Sequence, residues 1–124
     1  MSTQPIPPNG LWVDLVTLSS GASQSGPQWS HESTDLDLTV LSWTAPQQIA
    51  PHVNDEVDVL LIGVQGVGEV TVNAETYLLA PGQALVIPKG VERSLRCTTG
   101  DRWSYVSIHR RRRGLWPTVR GEPL

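Results

Sequence analysis

The segment Gly82-Gln-Ala-Leu-Val-Ile-Pro88-Lys-Gly90 holds a short strand between two enforced turns. Gly82 follows Pro81 and turns the chain into the apolar run Ala84 to Ile87, which reads as a buried strand. Pro88 has no main-chain donor and ends that strand, and Gly90 supplies the backbone freedom for the bend after it. A strand this brief between tight turns belongs to an all-β chain rather than to a helical one.

The same punctuation continues outward. Upstream, Glu69-Val-Thr-Val72 alternates, Asn73-Ala-Glu75 is a hairpin turn, and Thr76 to Leu79 is the return strand. Before that, His52 to Ile62 reads as one long extended segment ahead of Gly63, Gly66 and Gly68. Asp35 to Trp43 places Leu36, Leu38 and Val40 on one side and Asp37 and Thr39 on the other, the pattern of a half-buried strand. Leu11 to Leu18 fits a first strand, and Gly21 to Pro27 and Thr44 to Pro51 read as loops. Downstream, Val91 to Cys97 and Trp103 to His109 complete the set, separated by Thr98 to Asp101. No stretch of ten residues reads as a helix. About eight or nine short strands, with a turn every 8–12 residues or so, indicate a sandwich or barrel.

Length and composition agree. The 124 residues suit one domain, divided here into a lead-in over 1–10, a barrel over 11–113 and a tail over 114–124. With 39% hydrophobic and 17% charged residues the chain reads as globular, and its net charge of -3 gives no general attraction to nucleic acid or to an anionic membrane. The five Trp and two Tyr, with no Phe, predict a Trp-weighted core whose polar hydrogens need partners. The single Cys97 cannot form a disulfide within its own chain, and the first ten residues lack the pattern of a signal peptide, so a reducing cytoplasm is the expected compartment. No apolar run approaches the roughly 20 residues that span a bilayer.

The spacing Gly82, Pro88, Gly90 resembles the second cupin motif, G-x5-P-x-G-x2-H-x3-N, with Arg93 at the His position and Cys97 at the Asn position. The first motif, G-x5-H-x-H-x(3–4)-E-x6-G, is matched by His52 and Gly66. Asn54 replaces its second His, Pro46 its opening glycine, and either Val59 or Asp58 falls at its Glu. The resemblance runs over about residues 35 to 110. It implies an all-β, single-domain jelly-roll barrel and, in the family, a cage of three His and one Glu for a divalent ion.

Arg93 is always protonated and repels a metal, and Asn54 is a poor ligand, so His52 is the one clear ligand left. Glu56, Asp58 and His109 are the residues that could enlarge the set. On an unbroken strand His52, Asn54, Glu56 and Asp58 would share a face, although a bulge would change that phase. An inward Arg93 would bind a carboxylate or phosphate in a bidentate fork, or pair with Asp58 or Glu56 inside the barrel. Tyr105, Ser107 and His109 share a face, which brings Tyr105 into the candidate ligand-binding set with His52, Asn54, Asp58 and Arg93.

Three functions stay open on this reading. One is a barrel that binds a small molecule, an anion among the candidates, without a catalytic metal. A second is an oxygenase or isomerase using Fe, Mn, Ni or Zn on His52, Asp58, Glu56 and His109. A third is a metal-free cyclase or isomerase with His52 or His109 as base and Arg93 steadying an anion. The run Arg110 to Arg113 reads as a solvated end or a contact to an acidic surface of a partner subunit. His31 falls in a loop with no visible partner. The family's habit of pairing, with Leu11 to Leu18 as an edge strand, implies a homodimer.

Overall fold

Asp14 accepts a hydrogen bond from the Thr17 main-chain N–H (3.1 Å) and opens a six-residue helix, α1, Leu15–Ser20, that lies against the barrel. The bond holds the Asp14 carboxyl below the usual carboxylate range. A strand was expected over Leu11 to Leu18, and the cap is what the apolar pattern concealed. The computed structural model describes residues 11–98 and 102–112. The lead-in over 1–10, part of the loop from Thr98 to Asp101, Arg113 and the tail over 114–124 lie outside those residues.

Nine strands follow: β1 Gly26–Glu32, β2 Leu36–Thr44, β3 Gln48–Val53, β4 Val59–Gln65, β5 Gly68–Val72, β6 Glu75–Leu79, β7 Ala84–Ile87, β8 Glu92–Cys97 and β9 Arg102–Arg110. They form two antiparallel sheets, one ordered β1-β2-β9-β4-β7 and the other β3-β8-β5-β6. This is the jelly-roll arrangement, two sheets closing on a shared interior.

Three expectations about elements need correction. The loop before Pro27 and the loop containing His31 give way to β1, an edge strand that tolerates Pro27 because the register slips between Pro27 and Trp29. Gln48–Val53 is likewise a strand, holding Pro51 within an irregularity between Ile49 and His52. The long segment His52 to Ile62 breaks between β3 and β4, because the Asn54 side chain folds back on the chain.

The core comprises Val57, Val59, Leu61, Val70, Leu79, Ile87, Leu95, Cys97, Trp103 and Tyr105. Trp103 is fully buried, donates its indole N–H to the Leu79 carbonyl (3.2 Å) and lies over Gly68, where any Cβ would run into the indole. Its ring meets that of Tyr105 at 4.7 Å. The Trp43 indole donates to the Tyr105 hydroxyl (3.0 Å), and Cys97 packs beneath as a buried thiol. These indole and phenol groups close one end of the barrel.

β2 presents the unexpected face inward. Leu41 and Trp43 pack against the core, so Asp37 and Thr39, in the same phase, also face the interior. They pair in register with His109 and Ser107 of β9. The opposite phase is covered as well: Val40 and Ser42 are both 0% exposed, and the Ser42 and Ser104 hydroxyls bond at 2.9 Å. Because both faces of β2 are covered in mid-strand, alternation alone did not reveal which one meets the core.

Candidate functional site

The interior changes character along the barrel axis. On β8, Cys97 and Leu95 point into the core, and the two-residue period makes Arg93 the next inward side chain. Arg93 pairs in register with Val72 on one side and His52 on the other. On β9 the inward series runs Trp103, Tyr105, Ser107, His109. The aromatic end therefore gives way to a polar end built around Arg93 and His109.

Arg93 is only 4% exposed. Its Nε donates to the Val91 carbonyl (3.0 Å) and Nη2 to the Pro88 carbonyl (3.2 Å). Both acceptors belong to the turn that Pro88 and Gly90 shape, with Gly90 at φ +83°. No described carboxylate forms an ion pair with Arg93. Burial first, and the nearby charge of Arg112 second, hold the guanidinium below its ordinary pKa.

His109 is buried, with its Nδ1 donating to the Arg110 carbonyl (2.8 Å). That bond fixes the tautomer, because a carbonyl only accepts. Nε2 then stands 3.9 Å from Asp37 Oδ2, a contact that becomes an ion pair only in the imidazolium form. Asp37 was not among the residues singled out in the sequence; its phase with Leu41 and Trp43 was the available signal.

The remaining candidates have other engagements. Asn54 Oδ1 accepts from the main-chain N–H groups of Glu56 (2.8 Å) and Val57 (3.2 Å), and Asp58 Oδ1 accepts from that of Lys89 (2.8 Å). His52 lies opposite Arg93 but is exposed, with Nδ1 donating to the Ala50 carbonyl (3.0 Å). Tyr105 sits deep at the aromatic end, bonded to Trp43. An internal pair of Arg93 with Asp58 or Glu56 does not form, and the shared face of His52, Asn54, Glu56 and Asp58 is lost where the chain turns.

A metal cage of the family type does not fit these residues. A cation occupies one ligand position, and Asn54 is committed to its own turn. Among the described residues no three His, Cys, Asp or Glu side chains come together as a metal would require.

The arginine run proves to be structural in part. Arg110 Nη2 donates to the Glu56 carbonyl (3.1 Å), while the Arg111 main-chain N–H bonds the Asp35 carbonyl (2.7 Å) and its guanidinium Nε lies 3.4 Å from Glu32 Oε2. These contacts fasten the end of β9 to the loops beside it. Arg110 and Arg111 are exposed, as a solvated end would be, and they also clasp the neighbouring loops of their own chain.

The fold finds its counterpart among known proteins. The family model described as "Cupin domain" matches residues 43–109, more than half of the chain. A search of the curated proteins finds no match. Among solved structures, KdgF from Halomonas sp. is 24% identical, with a TM-score of 0.61 over 67% of this chain and 74% of that one. The conserved SPY1581 protein of unknown function from Streptococcus pyogenes is 22% identical, with a TM-score of 0.66 over 92% and 98%. BH2720 from Bacillus halodurans is 18% identical, with a TM-score of 0.72 over 86% and 85%. At such identities the likeness extends to the fold alone. With the glycine and proline spacing, the two-sheet barrel and the family model in agreement, the chain belongs to the cupin domain family.

Proposed function

We propose that the polar end of the barrel binds a small anionic molecule through Arg93, without a catalytic metal. The observation that carries this reading is a buried guanidinium with main-chain carbonyls, and no carboxylate, as its acceptors. A guanidinium has five N–H donors, and those two bonds leave the rest available to an oxyanion in the fork geometry that suits it. A buried charge without a counter-charge is costly by several kcal/mol, and a bound anion offsets that cost.

Thermal unfolding with small carboxylates and inorganic phosphate tests the reading. Anion at about a hundredfold over its Kd stabilises the native state by about 2.7 kcal/mol, a rise in Tm of roughly 5–15 °C. Arg93→Met, which keeps a long side chain and removes the charge, abolishes the rise. No rise with any anion, or the same rise in the variant, would overturn the proposal.

A second reading has a specific observation behind it: the buried His109 beside Asp37 at the same end. In that reading His109 exchanges a proton with the bound acid, at Nε2. Deuterium incorporation at the carbon next to a carboxylate of the ligand, lost in His109→Gln, is the expected result, and incorporation equal to that of buffer counts against it.

We also propose a cytoplasmic homodimer: with Leu15–Ser20 a helix rather than the edge strand expected to pair, a second copy covers instead the apolar outer face near Leu36 (47% exposed) and Val86 (59%). Sedimentation velocity at micromolar concentration checks the pairing, and a monomer throughout contradicts it.

A further inference from the structure

Resting on the anion reading, we infer that the ligand is an amino carboxylate, with its carboxylate on Arg93 and its ammonium group on Asp37 and His109. The strand registers bring these residues to one level of the barrel. Leu60 pairs with both Ile108 and Val86, and Val59 pairs with Ile87, so His109 of β9, Val59 of β4 and Ile87 of β7 stand side by side. Asp37 continues the row on β2, in register with His109. Pro88 follows Ile87, and its carbonyl accepts from Arg93 Nη2 (3.2 Å), which fixes the guanidinium at this level from the opposite sheet. The strands that carry His109 and Ile87 are two spacings apart, roughly 10 Å, a span for a ligand of a few carbons.

Asp37 and His109 turn two acceptors toward each other. His109 Nδ1 donates to the Arg110 carbonyl, so the neutral ring presents a lone pair at Nε2, 3.9 Å from Asp37 Oδ2. That gap is too long for a hydrogen bond, and among the described residues no other partner reaches the Asp37 carboxylate or that nitrogen. The two side chains are only 5% and 13% exposed, so water compensates the carboxylate poorly. A nitrogen about 2.9 Å from each acceptor bridges them. A hydroxyl has one proton and serves one acceptor, whereas an ammonium has three and also neutralises Asp37. Arg93 and Asp37 thus carry opposite charges at one end of the barrel yet form no ion pair with each other. A plain carboxylate meets only Arg93. An amino carboxylate meets both, each charge against its opposite.

Titration calorimetry measures Kd for β-alanine, γ-aminobutyrate and δ-aminovalerate, for propionate, butyrate and valerate, and for γ-hydroxybutyrate. At least one amino carboxylate is expected to bind about tenfold or more tighter than the plain carboxylate of the same chain length. Asp37→Asn, which keeps the size and loses the charge, removes that preference and leaves plain carboxylate binding within about twofold. Circular dichroism and Tm confirm that the variant folds, and the comparison of ligands on the wild-type chain needs no variant. Equal affinity for amino and plain carboxylates, γ-hydroxybutyrate as tight as γ-aminobutyrate, or a preference unchanged in Asp37→Asn overturns this inference and leaves the anion reading standing. If no probe binds at all, or if Arg93→Met binds as the wild type does, both fall.

Discussion

Arg93 stands on a strand whose neighbouring inward residues, Leu95 and Cys97, are core residues, and the two-residue period gives it no way out. Other residues carry comparable local constraints. The turn after β5 puts Asn73 at φ 51° and Ala74 at φ 74°, the backbone of a tight hairpin turn in which Asn-Gly is the favoured pair. Alanine pays for this conformation with a steric clash that glycine lacks, so Ala74→Gly is expected to stabilise the protein by about 1 kcal/mol, seen as a higher urea midpoint at unchanged slope. Tyr105 supplies a pH dependence. Burial pushes its phenol well above the ordinary value, and the Trp43 hydrogen bond lowers it by less. In the unfolded chain the phenol ionises near pH 10, whereas in the folded protein it stays protonated. The native state then binds more protons, so stability is complete below about pH 10 and falls as pH rises beyond it, by up to about 1.4 kcal/mol per pH unit. Urea titrations at pH 9 and 11 measure the difference, and Tyr105→Phe is expected to flatten it.

At the scale of the element, the turn between β3 and β4 matters most to the site. Asn54 accepts two main-chain hydrogen bonds with its side chain, and its carbonyl accepts a third from the Gly90 N–H (2.7 Å). It thereby ties its own turn to the Pro88–Gly90 turn whose carbonyls hold Arg93. Asn54→Ala keeps the main-chain bond to Gly90 but removes the acceptor of the Glu56 and Val57 N–H groups, and is expected to cost about 1–2 kcal/mol and to weaken anion binding by loosening the turn under Arg93. Differential scanning calorimetry reads the first effect and a ligand titration the second. The elements also show what one strand of sequence can and cannot say. The hairpin around Asn73 and the strand Ala84–Ile87 were legible because turn chemistry is local: a proline or glycine acts on its own backbone. β1 was not, since Gly-Pro-Gln-Trp-Ser-His-Glu carries no alternation and becomes a strand only by pairing with β2. β2 was found, but not its orientation, because covered residues lie on both of its faces. Of the site, an inward Arg93 could be read from the motif spacing, whereas Asp37 reaches it through His109, a partner far along the chain.

The molecule as a whole is a barrel with two unlike ends. Trp43, Trp103 and Tyr105 pack one end shut, with each polar hydrogen of the indoles placed on an oxygen. Arg93, His109 and Asp37 occupy the other, although the chain as a whole is acidic. The intervening layer of Thr39, Leu61, Leu95 and Ser107 separates them on paired strands. Distant, independent sites contribute additively, so stability and ligand binding are expected to separate along this axis. Trp43→Phe removes the donor to the Tyr105 hydroxyl and leaves that hydroxyl buried beside an apolar ring. It is expected to lower stability by about 1–3 kcal/mol and to leave anion affinity unchanged within about twofold. Arg93→Met acts in reverse. It removes a desolvated charge, so the unliganded protein loses little stability or gains some, while anion binding disappears. The double variant then shows the stability of the first and the binding of the second, with a coupling energy below about 0.5 kcal/mol. Denaturant melts and ligand titrations on the four proteins measure it. A larger coupling would mean that the aromatic end positions Arg93 through the shared strands, and that the two ends work as one.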